Sequence, residues 1–301
     1  DVQKGETLAI VGESGCGKSV TAKALMGLIA EPPGEIKKGS QVRFDGSDIL
    51  TFDEDAWSDF RGGQAAMIFQ DALAALNPTL TVGRQIAENL IIHKKLTKAR
   101  AMEKAVDILS MVGIPQPDKR VKQYPHEFSG GMRQRVMIGI AIACQPRLLI
   151  ADEPTTALDV TIQAQILELL DSLKKQSGTS VVLITHDLGI VAGYADRIVV
   201  MYGGKIVESG ASRDIFYHPR HPYTWALLGA VPRLDTNEKK KLYAIEGMPP
   251  DLTDPPLGCP FSTRCGYCMG ACVKAMPPKT SFGGAHEFRC WLSHPDADRS
   301  G

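Results

Sequence analysis

The sequence lacks an excess of charge of either sign. Its 34 Lys and Arg residues balance 34 Asp and Glu residues, so the formal net charge is 0. This balance argues against a strongly basic nucleic-acid binder and against a polyacidic tail. No apolar run reaches the roughly 18–20 residues that a membrane-spanning helix needs. The chain also begins without Met and without a signal-peptide pattern, so we expect a protein that is not secreted.

Cysteine is scarce until the last part of the chain. Two of the seven cysteines, Cys16 and Cys144, lie early, and the other five fall between residues 259 and 290. An odd, clustered set in a chain without a secretion pattern indicates metal ligation rather than a disulfide framework.

The pattern of apolar residues indicates the fold class. Apolar residues make up 44% of the 301 residues and charged residues 23%, as in ordinary soluble globular proteins. Short apolar strands alternate with amphipathic helices, which predicts an α/β fold with a mainly parallel sheet between helices. We expect strands near residues 7–11, 41–46, 66–69, 148–151, 181–185 and 198–201. We expect helices near 20–28, 81–113, 129–144 and 161–175, and a domain boundary near 230–245.

The strongest motif lies between the first predicted strand and the first predicted helix. Residues 12–19 read GESGCGKS and fit G-x-x-x-x-G-K-[ST]. The glycines let the backbone curl so that its N–H groups point at phosphate oxygens, and the helix N-terminus adds a positive dipole end. We expect Lys18 to reach the β- and γ-phosphates and the Ser19 hydroxyl to ligate Mg²⁺. The motif alone predicts a protein that binds a nucleoside triphosphate.

Two further predicted strands end in candidate catalytic groups. The strand at 148–151 is followed by Asp152 and Glu153, and the strand at 181–185 is followed by His186. The carboxyl ends of parallel strands meet at one edge of the sheet, beside the phosphate loop. We expect Asp152 to hold Mg²⁺ through its water shell and Glu153 to act as general base toward the attacking water. His186 could bind the γ-phosphate or that water, although a lone histidine is more often structural.

Residues 128–135, FSGGMRQR, form a second candidate anion site. Ser129 is suited to cap a helix, and Gly130 and Gly131 leave the N–H groups of the helix start bare. One nucleotide does not obviously need two phosphate-binding helix ends from distant parts of one chain. Two copies arranged head to tail would give each nucleotide one of each.

Together these motifs resemble the ATP-binding-cassette (ABC) ATPases. The matches follow the family's order over about residues 1–215: the phosphate loop, Gln70, the SGG signature, 149–153, 157–159 and His186. The resemblance implies an α/β P-loop NTPase fold, with a RecA-like core and a helical subdomain at about 71–145. This ABC nucleotide-binding domain would span residues 1–235, and a small cysteine-rich C-terminal module would span 236–301.

The family's site roles carry over to the matching positions. ATP would be bound by Gly12, Ser14, Gly15, Cys16, Gly17, Lys18, Ser19 and Val20. Mg²⁺ would be held by Ser19, Gln70 and Asp152, and the catalytic residues would be Glu153, His186 and Gln70. In an ATP sandwich dimer, the other subunit's nucleotide would be contacted by Ser129, Gly130, Gly131, Gln134 and Asp159. Phe128 stands where the family usually has Leu, and we expect only a packing change there.

One part of the family pattern is absent. ABC ATPases usually carry a first strand and an adenine-stacking aromatic well before the phosphate loop, whereas eleven residues precede Gly12 here. We therefore expect an N-terminally trimmed chain and assign no adenine-stacking residue.

The C-terminal part narrows the resemblance to one branch. Residues 220–228, RHPYTWALL, resemble the segment that follows the nucleotide-binding domain in peptide-importer ATPases. Four thiolates suit Zn²⁺ or an iron–sulfur cluster, and residue chemistry alone does not choose between them. The spacing resembles the cysteine motif of oligopeptide/dipeptide ABC ATPases, some of which hold a [4Fe–4S] cluster. The expected ligands are Cys259, Cys265, Cys272 and Cys290, with Cys268 as an extra cysteine; zinc and unligated cysteines remain alternatives.

The resemblance implies the ATPase subunit of an ABC importer for di- or oligopeptides, peripheral at the cytoplasmic face of the cell membrane. Its implied partners are two transmembrane permease subunits, a second ABC ATPase (a heterodimer is favoured) and an extracytoplasmic substrate-binding protein, without nucleic acid. Residues 71–125 would receive the permease's coupling helix, with 71–78 as the candidate contact. Three alternatives stay open: a soluble ABC ATPase acting on nucleic acid or ribosomes, an importer of nickel or antimicrobial peptides, and a redox or binding module built on the cysteines.

Overall fold

The computed structural model describes residues 1–156, 158–230, 245–294 and 297. The chain divides into two compact units. The first comprises Asp1–Glu6 and Ser19–Val182, and the second comprises Thr7–Lys18 and Leu183–Gly301. The domain boundary expected near residues 230–245 lies largely outside the described residues.

The described residues form ten strands and twelve α-helices. The strands are β1 (Thr7–Val11), β2 (Arg43–Phe44), β3 (Ser47–Asp48), β4 (Ala65–Ile68), β5 (Leu148–Asp152), β6 (Ser180–Thr185), β7 (Arg197–Tyr202), β8 (Lys205–Ala211), β9 (Thr280–Ser281) and β10 (Glu287–Phe288). The helices are α1 (Lys18–Leu25), α2 (Glu54–Phe60), α3 (Ala72–Ala75), α4 (Val82–Lys94), α5 (Lys98–Met111), α6 (Pro117–Arg120), α7 (Gly130–Ile142), α8 (Val160–Ser177), α9 (Leu188–Val191), α10 (Ser212–Tyr217), α11 (Pro222–Gly229) and α12 (Gly270–Lys274). Among these described helices, none combines the length and the apolar character needed to cross a membrane.

The first unit is built on buried parallel strands. β4 pairs with β5 in parallel, with Ala65 opposite Leu148 and Ile68 opposite Ala151. All four residues of β4 are buried, as expected for a strand covered on both faces. Helix α7 contacts β4, α3, α4 and α5, and its buried face includes Ile138. The strands expected at 66–69 and 148–151 are confirmed.

Side-chain caps decide where the helices of the first unit begin. The helices expected over 81–113 are α4 and α5, and the chain turns between them. Thr81 caps α4 and Thr97 caps α5 through their side-chain oxygens, and Lys95 ends α4 in the left-handed conformation, with φ of 55°. Ser129 caps α7 by accepting the Met132 N–H, so the helix expected from residue 129 starts one residue later.

The second unit contains a mixed sheet. Its strand order is β6, β1, β7, β8, β10, β9. β1 runs parallel to β7, with Leu8 opposite Arg197, whereas β7 and β8 are antiparallel and β10 pairs antiparallel with both neighbours. The prediction of a mainly parallel sheet is therefore incomplete. β8 to β10 were missed because two of them are two residues long and β8 mixes charged and glycine residues with its apolar ones.

One hydrophobic core holds the second unit together. It joins β1, α9 and β7 to residues from much later in the chain, among them Tyr223, Cys259, Phe261 and Cys272. Tyr202 packs against Tyr223 and Phe261, with ring centroids 4.5 and 5.2 Å apart. The strand that leads into the phosphate loop therefore shares its core with two of the clustered cysteines.

Shortening a fully buried side chain of β5 tests the core of the first unit. Ile150 has 0% of its surface exposed. We expect Ile150→Ala to lower the free energy of unfolding by about 2–5 kcal/mol, because it removes buried apolar area and leaves a cavity. Urea unfolding followed by circular dichroism measures this change. Val160→Ala is the control, since Val160 is 81% exposed and its truncation should cost less than about 0.5 kcal/mol. Equal losses in the two variants would contradict the assigned burial.

Candidate functional site

The phosphate loop of the second unit starts at a glycine that no other residue could replace without a backbone shift. A Cβ placed on Gly12 would overlap the carbonyl oxygen of Met201, at the end of β7. Gly15 and Gly17 have φ angles of 79° and 102°, in the region that favours glycine. The chain can therefore leave β1, turn tightly and enter α1 at Lys18.

Lys18 is held inside this loop. Lys18 is 4% exposed, and its ammonium donates to the carbonyl oxygens of Gly12 (2.8 Å) and Glu13 (3.0 Å). Cys16 is buried in the same loop, and this burial raises the pKa of its thiol. The other loop residues assigned to ATP are more open to solvent: Ser14, Gly15, Gly17, Ser19 and Val20.

The first unit holds the oxygen ligands expected for Mg²⁺. The Ser19 hydroxyl donates to Asp152 Oδ1 over 2.8 Å, and Asp152 is 3% exposed at the end of β5. Ser19 is separated from Asp152 by 133 positions in sequence, and the fold brings them into direct contact. Hydroxyl and carboxylate oxygens are the donors that Mg²⁺ prefers, so this pair fits the expected ion.

Glu153 follows in a strained conformation. Its φ angle is 46°, in the left-handed region that side chains other than glycine rarely adopt. Its Oε2 accepts hydrogen bonds from Gln70 Nε2 (3.0 Å) and Thr156 Oγ1 (2.9 Å). The structure therefore places the two expected catalytic residues of this unit, Gln70 and Glu153, in contact with each other.

The signature helix and Asp159 lie close together in the first unit. Ser129 caps α7, and Asp159 caps α8 by accepting the Ile162 N–H over 3.0 Å. A Cβ on Gly131 would lie 3.0 Å from Cγ2 of Ile162, so glycine lets the two helix starts approach. Gln134 is 4% exposed, and its Nε2 has no hydrogen-bond partner among the described residues.

His186 lies directly after β6, in the second unit, and is exposed. The next residue, Asp187, caps α9 by accepting the Gly189 N–H over 2.7 Å. The structure places His186 at the carboxyl end of a buried strand, as expected. Ala157, part of the matched segment 157–159, lies outside the described residues.

The four cysteines expected to act together line one small cavity of the second unit. The lining of this cavity, about 10 Å³ in volume, includes Cys259, Cys265, Cys272, Cys290 and His221. We call it the cysteine cavity. Cys268 is exposed and is not among the residues that line this cavity.

The pKa is raised for three of the thiols of the cysteine cavity, those of Cys259, Cys265 and Cys290. Burial raises the pKa of Cys259 to about 11 and that of Cys290 to about 12, and the neighbouring cysteines add to both shifts. Within the described part of the chain, no group of three or more His, Cys, Asp or Glu side chains is placed to hold a single metal ion. A tetrahedral zinc site draws its sulfurs to about 2.3 Å from the ion, and the described side chains do not form one.

Two residues that contact the phosphate loop were missed by sequence reasoning. Arg264 donates to both carboxylate oxygens of Glu13, and the Tyr223 hydroxyl accepts the Glu13 N–H. Arg264 is 251 positions from Glu13 in sequence, and neither Arg264 nor Tyr223 belongs to a motif to which a site role was assigned. Their only sequence signal is proximity to other features: Arg264 precedes Cys265, and Tyr223 lies in the importer-like segment.

Comparison with known proteins agrees with this geometry. Residues 1–156 match the family model described as ABC transporter, and residues 207–272 match the one described as oligopeptide/dipeptide transporter, C-terminal region. The first match contains the phosphate loop, Gln70, the signature, Asp152 and Glu153. The second contains the first three cysteines of the cavity.

Solved ABC cassettes share the fold. A dimer of the ATP-binding cassette MJ0796 in a post-hydrolysis state, bound to ADP and phosphate, gives a TM-score of 0.62 at 27% identity, covering 71% of this chain and 88% of that one. The cbiO1 protein of Clostridium perfringens, part of the ABC transporter complex cbiONQ, also gives 0.62, at 26% identity, covering 72% and 82%. These likenesses confirm the expected P-loop fold with a mixed α/β sheet.

Curated relatives match along nearly the whole chain. The oligopeptide transport ATP-binding protein OppD of Bacillus subtilis is 55% identical over 298 residues, which is 99% of this chain and 83% of that protein. The dipeptide transport ATP-binding protein DppD of the same organism is 52% identical over 100% of this chain and 89% of its own length. OppD of Salmonella typhimurium is 52% identical over 96% and 85%. The chain therefore belongs to the ABC transporter family, in the group of ATP-binding proteins that carry the oligopeptide/dipeptide transporter C-terminal region.

Proposed function

We propose that this chain is the ATP-binding and ATP-hydrolysing subunit of an ABC importer that powers the uptake of di- or oligopeptides. The observation that carries the proposal is the pair of contacts at the end of β5, Ser19 with Asp152 and Gln70 with Glu153. They supply oxygen ligands for Mg²⁺ and a carboxylate for water activation, in a chain 55% identical to OppD of Bacillus subtilis.

The phosphate loop binds the ATP phosphates in this proposal. Backbone N–H groups of the loop other than that of Glu13 face phosphate oxygens, and Lys18 exchanges its loop carbonyls for the β- and γ-phosphates. Ser19, Asp152 and Gln70 would hold Mg²⁺, and the ion would supply positive charge to neutralise the phosphates. Ser14, Gly15, Cys16, Gly17 and Val20 complete the loop's contacts.

Glu153 orients the attacking water and takes its proton. Its left-handed backbone and its bonds from Gln70 and Thr156 fix the carboxylate, so little reorganisation is needed at the moment of reaction. Gln70 serves both the ion and the base. His186 contacts the γ-phosphate or the water from the end of β6.

The signature residues act on the nucleotide of a second ATPase subunit. A helix start leaves its first N–H groups without partners in the helix, and Ser129 satisfies the N–H of Met132, leaving those of Gly130 and Gly131 for an anion. Gln134 brings a buried amide N–H that pairs with no described group. Asp159 at the start of α8 adds a contact to the opposite subunit. We favour a homologous second ATPase, so that the pair is a heterodimer.

Membrane coupling is assigned to the segment after Gln70. Asp71 caps α3, and Leu73 in this short helix is 59% exposed. The helical subdomain with the candidate contact at 71–78 would receive a helix of the permease. In this proposal the chain lies peripherally at the cytoplasmic face of the cell membrane and works with two permease subunits and an extracytoplasmic substrate-binding protein.

The cysteine cavity would hold a [4Fe–4S] cluster through Cys259, Cys265, Cys272 and Cys290. Four thiols on one cavity are the donor set that such clusters use, and no three or more of the described His, Cys, Asp or Glu side chains are placed to hold a single metal ion. The cavity is about 10 Å³, so its thiols must spread when the cluster is loaded. The role is structural: the cluster would staple a segment rich in Gly and Pro.

Removing the proposed base tests the hydrolytic mechanism. Glu153→Gln keeps the shape of the side chain but cannot accept the proton, so ATP turnover should fall by about 10²–10⁴ while ATP binding persists. Phosphate release and equilibrium binding of ATP measure the two effects. The matched control is Glu168→Gln, an exposed glutamate on α8, which should hydrolyse ATP at the normal rate. Near-normal turnover in Glu153→Gln would remove this residue as the base.

Substituting one cavity cysteine tests the cluster. Cys259→Ser should lose iron and acid-labile sulfide and should unfold at a lower temperature, while the chain still binds ATP. Cys268→Ser is the control, because Cys268 is exposed and lies outside the cavity. Elemental analysis of anaerobically purified protein gives the metal content. Full iron retention in Cys259→Ser, or zinc in place of iron in the unaltered protein, would contradict the ligand set or the cluster.

The composition of the native complex tests the transport function. Native mass spectrometry of the complex extracted anaerobically from its own membranes should show two permease subunits and a second, homologous ATPase. Added mass on this chain would report the cluster. Association with soluble partners or ribosomes alone would contradict import while leaving the ATPase chemistry intact, and uptake assays with nickel would separate metal from peptide transport.

A further inference from the structure

Glu13, in the phosphate loop, is hydrogen-bonded to two side chains from outside the loop. The Glu13 carboxylate accepts two hydrogen bonds from Arg264, at 2.6 and 3.1 Å, and the Glu13 N–H donates to the Tyr223 hydroxyl over 2.8 Å. The third polar group of Glu13, its carbonyl oxygen, accepts from Lys18. The residue that positions the loop's lysine is therefore itself positioned by two C-terminal side chains.

Both of these side chains are rigidly held. The Arg264 side chain is 5% exposed, and besides Glu13 it donates to the Tyr202 hydroxyl and to the carbonyl oxygens of Ile245 and Glu246. A bidentate arginine–carboxylate pair is among the stronger and more directional polar contacts in proteins, and this one is partly buried. Tyr223 has 0% of its surface exposed. Neither group can follow the loop if the loop moves, so each restrains it.

The same two side chains connect to the cysteine cavity. Arg264 ends the 3-10 helix Ser262–Arg264 and is followed directly by Cys265. On the other side, Tyr223 donates its N–H to His221 Nδ1 over 3.1 Å, and His221 Nε2 lies 3.9 Å from the Cys259 sulfur. Two separate paths, one of covalent bonds and one of hydrogen bonds, therefore run from cavity cysteines to Glu13.

An occupant of the cysteine cavity must shift the cysteines at which these two paths begin. The volume of the cavity is about 10 Å³, barely the space of one water molecule. An occupant larger than that must displace the side chains that line the cavity, among them Cys259 and Cys265. Because the surrounding core is closely packed, such a shift is passed to neighbouring side chains.

We propose that Arg264 and Tyr223 are positioning residues of the phosphate loop, and that the occupancy of the cysteine cavity sets the loop's affinity for ATP through them. This inference rests on the proposed role of residues 12–19 in binding ATP. Coupling between two binding sites is reciprocal, so bound ATP must change the affinity of the cavity by the same factor.

Conservative variants test the positioning role. Tyr223→Phe keeps the buried ring but removes the acceptor of the Glu13 N–H, and Arg264→Lys keeps the charge but loses the bidentate contact. We expect each to raise KM for ATP by about ten-fold with kcat within about two-fold, since the loop loses binding rather than chemistry. Tyr217→Phe is the matched control, because Tyr217 is 74% exposed on α10. Unchanged KM in both variants overturns the positioning role.

A double-mutant cycle separates positioning from general damage. In Glu13→Ala, replacing Arg264 by Met should weaken ATP binding further by less than about two-fold, because their shared contact is already lost. Independent, multiplying effects in the cycle would show that Arg264 acts through the fold and not through Glu13. Lys279 and Glu287, an ion pair at 2.7 Å in the same segment, provide the control cycle, which should leave ATP affinity unchanged.

A soft metal ion tests the link to the cavity. Cd²⁺ binds thiolates, and its charge-transfer absorbance reports loading whatever the natural occupant is. ATP affinity, measured by equilibrium binding to the chelator-treated full chain, should change several-fold on Cd²⁺ loading, and ATP should shift Cd²⁺ affinity equally. Tyr223→Phe combined with Arg264→Lys should abolish both shifts. Failure of Cd²⁺ to load, or equal ATP affinity with and without it, overturns the coupling. A chain that binds no ATP in any state would instead contradict the proposed function itself.

Discussion

The close approach of Gly12 to the end of β7 is the constraint on which the nucleotide loop depends. A side chain at residue 12 would overlap the Met201 carbonyl oxygen, so β1 can stay paired with β7 up to the loop only with glycine there. The loop then begins from a rigid point, because β1 and β7 both lie in the core of the second unit. Lys18 turns back onto this fixed backbone through the carbonyl oxygens of Gly12 and Glu13. A loop that lacked this starting point could not aim its N–H groups consistently.

Buried charges organise the rest of the second unit. Glu208 is 0% exposed and accepts hydrogen bonds from the backbone N–H groups of Arg220 and His221, while His286 Nε2 lies 2.8 Å from it. A buried carboxylate is tolerated only when it is paired in this way. Burial lowers the pKa of His221 to about 3, so its ring is neutral at pH 7. Since its Nδ1 accepts the Tyr223 N–H, the ring proton sits on Nε2 and points toward the Cys259 sulfur.

The candidate site residues were predictable from sequence, because each lies in a short segment with a recognisable local pattern. The phosphate loop, the acidic end of β5 and the cap at Ser129 each combine a glycine or capping pattern with a neighbouring apolar strand or helix. The structure places Asp152 at a buried strand end and Ser129 at a helix start, as the patterns predict. The left-handed backbone of Glu153 was not predictable, since nothing in the residue type requires it.

Contacts between distant residues were out of reach of sequence reasoning. The pair Arg264–Glu13 and the pair His286–Glu208 join residues 251 and 78 positions apart, and no periodicity or spacing relates their members. The short strands β9 and β10 were missed for a related reason, since two residues carry no alternation to detect. Their place in the sheet follows from pairing with β8, which only the folded chain defines.

The motif explains why Arg264 can contact the phosphate loop at Glu13 without interfering with phosphate binding. The motif G-x-x-x-x-G-K-[ST] requires glycine, lysine and a hydroxyl at fixed points but leaves residue 13 open. Glu13 can therefore give its carboxylate to Arg264 without withdrawing a group that phosphate binding uses. The backbone of Glu13 is constrained, because its carbonyl oxygen accepts from Lys18 and its N–H donates to the Tyr223 hydroxyl. The motif does not restrict the side chain of Glu13, but the backbone of Glu13 must keep its position. The contact between Arg264 and this side chain therefore also restrains the backbone.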